Sequence, residues 1–126
     1  MIEQIKKYQN NIIAIEVIDG FTETDEQLAQ KLFSEKLSKG FENINVLVKL
    51  DEMKISKSST KAFMEDFIWI LRNYKPIGNL AIVAHSNIEK VLIPIDNFFF
   101  ERLKQGFQER YFDISQIDEA YQFIEE

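Results

Sequence analysis

Apolar residues along this chain repeat at two periods, and the places where one period gives way to the other mark its elements. Between residues 11 and 18, Ile13, Ile15 and Val17 fall on alternate positions, the period of a strand. Residues 2–8 form a strand-like run before it, and the polar pair Asn10 and Asn11 supplies a tight turn, so an antiparallel hairpin is expected. The period then lengthens. Thr24-Asp25-Glu26-Gln27 has the spacing of a capping box, Leu28, Leu32, Phe33 and Leu37 follow at helical intervals, and Gly40 provides the stop.

Alternation returns at Ile44, Val46, Val48 and Leu50, with Asn45, Leu47 and Lys49 between them, and ends where the chain turns polar at Asp51. A second helix is predicted from about Ser59 to Tyr74. After a turn at Pro76 and Gly78, Leu80-Ala81-Ile82-Val83-Ala84 is an unbroken apolar run, the pattern of a central strand buried on both faces. Ser86 caps a third helical region, which Pro94 interrupts because it has no N–H to donate; helix resumes from Phe98 to Gln105. Phe107 to Phe112 reads as the last strand, and Ser115 as the cap of a final helix carrying Ile117, Ala120, Tyr121 and Ile124. The order ββαβαβαβα predicts an α/β fold with one mixed sheet of about five strands. That sheet is parallel over most of its width, has one antiparallel edge, and carries helices packed on it. Gly20, Gly40, Gly78 and Gly106 fall at the joints between periodic segments.

Composition narrows the reading. A chain of 126 residues fits one domain, residues 1–126, since single cores commonly serve about 100 to 150 residues. The net charge of −6 argues against a nucleic-acid binder, because neutralising phosphates needs a basic face. There is no cysteine, which removes thiolate metal sites and thiol nucleophiles and suits a reducing cytoplasm. The first residues lack a signal-peptide pattern, and no apolar run reaches the roughly 18 residues of a membrane span. A cytoplasmic protein is expected.

Two stretches, residues 62–67 (Ala-Phe-Met-Glu-Asp-Phe) and 110–120 (beginning Arg-Tyr-Phe-Asp and ending Glu-Ala), resemble the SpoIIAA-like family, small bacterial proteins with the STAS fold of sulphate transporters and anti-sigma factor antagonists. Ala62-Phe63-Met64-Glu65-Asp66-Phe67 is similar to the family's A-L-W-E-D-L helix. Arg110-Tyr111-Phe112-Asp113, followed by Glu119-Ala120, is similar to its R-Y-F-D and E-A ending. Where the family carries roughly V-G-D-K-x-W, this chain has Val83-Ala84-His85-Ser86-Asn87-Ile88, a departure that removes the Lys and the Trp. The resemblance implies a carrier of non-polar ligands or a peripheral membrane protein, with open and closed forms of the third helical region. In the sigma-factor antagonists of this fold, a serine in a D-S-x-G pattern is phosphorylated to switch partner binding; here the stretch is Lys57-Ser58-Ser59-Thr60.

Several residues invite a functional reading, each beside a plainer one. Ser58 and Ser59 stand at a predicted helix N-terminus, where a phosphate would meet free N–H groups, but without the Asp and Gly of the pattern an N-cap is the stronger reading. His85, the only histidine, is predicted at the C-terminal end of the central strand, with Asp51 and Ser86 at the same sheet end. No G-x-S-x-G, Walker, G-x-G-x-x-G or H-E-x-x-H pattern connects them, so neither an enzyme nor a cofactor nor a metal is expected.

The aromatic residues say more. On a helical wheel Phe63, Phe67 and their apolar neighbours fill one arc of the second helix, while Trp69 falls among Glu65, Asp66, Arg72 and Asn73. Such a Trp is either covered by another segment or an interface anchor. Phe98-Phe99-Phe100 cannot all enter one core face, and with Ile95 and Leu103 they mark a helix contact, a pocket mouth, a homodimer interface or a membrane surface. The leading expectation is a non-catalytic module that holds a small hydrophobic ligand, touches a membrane peripherally, or both. A regulatory protein partner docking on the second helix is the alternative, and an enzyme built on His85 comes third.

Overall fold

The computed structural model describes residues 1–18, 22–50, 77–84 and 108–125. Its strands are β1 (Ile2–Lys6), β2 (Ile12–Val17), β3 (Ile44–Leu50), β4 (Ile77–Ala84) and β5 (Gln108–Asp113). Its helices are α1 (Glu23–Ser38) and α2 (Ile117–Ile124), the latter entered through a 3-10 turn at Ile114–Gln116. The five strands form one sheet in the order β1-β2-β3-β4-β5; β1 runs antiparallel to β2, and every other pair is parallel. The mixed sheet with one antiparallel edge is the one the hydrophobic pattern predicts. The helices expected over residues 59–74 and 86–105 lie outside the described residues, as do Gly20 and Gly106.

The middle of the sheet is β3. The predicted central strand, β4, is an inner one, bonded to β3 and β5 on either side, with Leu80 to Ala84 all buried. Ile12, Ala14, Leu47, Ala81, Val83 and Phe112 gather on one face beneath Ala120, Phe123 and Ile124 of α2. By the two-residue strand period, Ile13, Ile15, Val46, Val48, Leu80 and Ile82 take the opposite face, and all six are buried. Double-sided burial explains why Leu47, which falls between the alternating apolar positions, is as buried as its neighbours.

Several boundaries move for physical reasons. The cap of α1 is Thr22, not Thr24: its side chain accepts from Asp25 N–H while Asp25 accepts from Thr22 N–H. The buried stripe of α1 is Asp25, Ala29, Phe33 and Lys36, while Leu28 stays 41% exposed. Gly40 does end the helix, in a left-handed conformation at φ +87°. Gly78 is no turn residue but sits within β4, where a Cβ would come 2.5 Å from Asn45 Oδ1. Ser115 donates to Asp113, which caps the 3-10 turn in its place. The buried face of α2 includes Phe123 beside the expected Ala120 and Ile124, with Ile117 and Tyr121 partly buried. β1 carries a bulge between Gln4 and Lys6, and of its five residues only Ile2 is buried.

Candidate functional site

β3 ends at Leu50 and β4 at Ala84, so neighbouring parallel strands stop together at the C-terminal end of the sheet, with Lys49 paired to Val83. Open α/β sheets place ligands at that end. Asp51, His85 and Ser86 follow those strand ends in sequence and lie outside the described residues. The same holds for Ser58, Ser59, Phe63, Phe67, Trp69, Ile95, Phe98, Phe99, Phe100 and Leu103. Nearby on the α2 side, Lys49 Nζ meets Glu16 Oε1 at 3.5 Å across β2 and β3.

The R-Y-F-D stretch falls on β5, where Arg110, Phe112 and Asp113 serve the packing and entry of α2 while Tyr111, paired with Ile82, alternates to the other face. Phe112 is buried with its ring centroid 5.9 Å from that of Phe123. The Arg110 guanidinium lies 5.5 Å from the Phe112 centroid and 5.4 Å from that of Phe123, close enough for cation–π attraction. Asp113 accepts from Ser115 N–H at 3.0 Å and from its hydroxyl at 2.6 Å, turning the chain into the 3-10 turn. Ala120 of the E-A pair is fully buried against the sheet, where a larger side chain would push α2 away.

A pair of asparagines holds the far end of α2. A helix leaves its last carbonyls without intrahelical donors, and buried carbonyls need partners from elsewhere. Asn45 Nδ2 donates to Ile124 C=O at 2.8 Å, and Asn79 Nδ2 donates to Phe123 C=O at 2.9 Å. Asn45 Oδ1 also accepts from Asn79 N–H at 2.8 Å, at the place where the register of β3 against β4 shifts. The bare Cα of Gly78 leaves room for that oxygen. These two polar positions inside strand patterns were readable only as polar faces; their role depends on a helix 44 or more residues away in sequence.

Two charged residues of α1 tie down the β1–β2 hairpin. Asp25 accepts from Ile2 N–H at 2.9 Å and from Thr22 N–H at 2.8 Å, and pairs with the Met1 ammonium at 3.0 Å. Burial alone would raise its pKa, but these donors outweigh it and hold the carboxyl below its ordinary value. Eleven residues on, Lys36 Nζ donates to Tyr8 C=O and Asn10 C=O, both at 2.6 Å. Burial, and then the nearby Lys39, lower the Lys36 pKa. Tyr8 in turn donates its hydroxyl to Glu125 Oε1 at 2.7 Å, and burial together with that carboxylate raises its pKa. Lys6 Nζ lies 4.9 Å from the Tyr8 ring centroid and 5.9 Å from that of Tyr121.

Between the hairpin and α1 lies an open cleft of about 280 Å³ lined by Gln4, Lys7, Tyr8, Lys36, Lys39 and other residues. Sequence reasoning missed it, because its walls come from a strand, a turn and a helix end that share no spacing. Among the described residues no group of three or more His, Cys, Asp or Glu could hold a metal ion, and no helix is long and apolar enough to cross a membrane.

No curated protein and no solved structure matches the chain. A family model does: the SpoIIAA-like model covers residues 12–125, from the first residue of β2 to the residue after α2. The sheet with its antiparallel edge, the packing of Arg110, Phe112 and Ala120, and this match lead to one statement: the chain belongs to the SpoIIAA-like family, a STAS-type domain.

Proposed function

We propose that this domain is a non-catalytic binding module that holds a small hydrophobic ligand, or sits transiently on a membrane, through Phe98-Phe99-Phe100 and Trp69. The observation that carries the reading is the run of three phenylalanines following Pro94, which one core face cannot absorb. Two features support it. The face of the sheet opposite α2 is aliphatic and buried at Val46, Val48, Leu80 and Ile82, so a segment opening over it would uncover an apolar floor. The charged side chains described above, Asp25, Lys36, Glu125 and Arg110, are engaged in hydrogen bonds or ring contacts that fasten elements together.

In this mechanism the 86–106 segment opens as a lid, with Pro94 as the break, and closes over an acyl-like guest. Each CH₂ removed from water then contributes about 0.8 kcal/mol. Lys90, Arg102 and Lys104, on the same segment, would meet anionic headgroups. The test is native mass spectrometry of the purified protein together with co-sedimentation on phosphatidylglycerol vesicles. A co-purified lipid-sized mass or vesicle binding that Phe98→Ser/Phe99→Ser abolishes supports the reading; neither mass nor vesicle binding in wild type refutes it.

Family membership favours a second reading, since the sigma-factor antagonists of the STAS fold act by docking a partner protein. Here the docking surface would be the helix expected over residues 59–74, with Trp69 as its anchor. A pull-down returning one stoichiometric protein, lost in Trp69→Ala, would establish it. A phosphopeptide from cells containing Ser58 or Ser59 would add the switch.

A further inference from the structure

We propose that the cleft between the β1–β2 hairpin and α1 binds a small anion, of the class that presents carboxylate or phosphate oxygens. Lys36 is the first reason. It is 9% exposed, and its bonds to the carbonyls of Tyr8 and Asn10 occupy two of the three N–H donors of its ammonium. Both partners are neutral, and none of the ion pairs among the described residues involves Lys36. A desolvated cation whose hydrogen bonds go to dipoles, attracted by Glu35 but repelled more by Lys39, is complemented by an anion beside it.

The cleft itself is the second reason. Lys7 and Lys39 line it with Lys36, and Glu35 is the one acid among its walls, so three cations face one carboxylate in a chain whose net charge is −6. The proximity of Lys39 also contributes to lowering the Lys36 pKa, a repulsion that a bound anion relieves. Gln4 and the Tyr8 edge add polar and aromatic wall, and about 280 Å³ is several times the roughly 30 Å³ that one water occupies in the liquid. An anion of several heavy atoms fits. The site is independent of the aromatic segment and of what that segment binds.

The experiment is a ¹⁵N-¹H titration of the full chain with inorganic phosphate and, separately, with citrate, at constant ionic strength set by sodium chloride. Saturable shifts confined to the amides of Gln4, Lys7, Tyr8, Lys36 and Lys39 are expected with at least one of the two, and which one saturates identifies phosphate or carboxylate chemistry. Lys7→Gln/Lys39→Gln removes only cleft-lining cations outside the clasp, so its spectrum should stay native while its affinity falls at least tenfold. Lys36→Met should lose binding too, but it also loosens the hairpin, which is why the double variant decides. Linear shifts scattered over the surface, or the same titration curve in wild type and the double variant, would overturn the proposal.

Discussion

Asn45→Ala should be among the most damaging single truncations of a polar side chain in the described part of this domain. It removes the donor to Ile124 C=O and the acceptor for Asn79 N–H, both held at 2.8 Å. Asn45 is 7% exposed, so water does not readily replace either bond. A buried group left unsatisfied costs about 1–3 kcal/mol, which gives about 2–6 kcal/mol for the pair. Asn79→Ala removes only the donor to Phe123 C=O from a half-buried residue, for about 0.5–1.5 kcal/mol. With unfolding entropy near 2.1 cal/mol/K per residue over 126 residues, 1 kcal/mol corresponds to roughly 4 °C in Tm. Thermal denaturation followed by circular dichroism should therefore rank Asn45→Ala well below Asn79→Ala, with Tm losses of about 8–24 °C and about 2–6 °C. Asn45→Asp sharpens the test: it keeps an acceptor for Asn79 but sets a carboxylate against the Ile124 carbonyl, so it should remain strongly destabilised at neutral pH. Equal losses for the two alanine variants, or an Asn45→Asp protein as stable as wild type, would show that the helix end is not held as described.

Gly78→Ala should reproduce much of that loss, about 1–3 kcal/mol, because its Cβ would displace the Asn45 oxygen; in an Asn45→Ala background the same substitution should cost far less, as a double-mutant cycle would show. The Asp25 carboxyl has a folded pKa below its unfolded value of about 3.9, so its contribution is complete above that range and is lost as pH falls through the folded pKa. The stability gap between wild type and Asp25→Asn, measured by denaturant titration, should accordingly be widest near neutrality and shrink in acid; a gap independent of pH contradicts the assignment. Arg110→Ala should lower stability by about 0.5–1 kcal/mol and Arg110→Lys by less, the mark of an exposed cation over the Phe112 and Phe123 rings.

How much the sequence disclosed depends on whether a residue's role is local. Ile44, Val46, Val48 and Leu50 declared β3 because the strand period is local to the chain, and Gly40 declared the end of α1 because a left-handed residue is a local need. The buried face of α1 was legible only in part: Phe33 is core as its spacing predicts, but Leu28 is exposed, and Asp25 and Lys36 are buried with Phe33. The two charged residues point inward to satisfy backbone groups of a hairpin, and no helical wheel carries that information. Asn45 and Asn79 failed to stand out for the same reason, their partners being carbonyls at the far end of the chain. R-Y-F-D was legible as a family signature, but the packing of Arg110 and Phe112 against Phe123 needed coordinates. Every residue selected as a ligand-facing or sheet-end candidate lies outside the described residues, so those selections rest on sequence and family alone.

The bulge in β1 bears on how copies of this chain could associate. An edge strand offers a row of unpaired amides and carbonyls to any neighbour of matching register. Between Gln4 and Lys6 that row loses step, and Glu3, Lys6 and Lys7 set charges around the break. A second molecule laying its own β1 alongside would pair on one side of the break only, so continuous ten-stranded sheets built through this edge are disfavoured. Deleting Ile5 would restore the step, and with it the hazard: a straight, accessible border on which fibrils can begin.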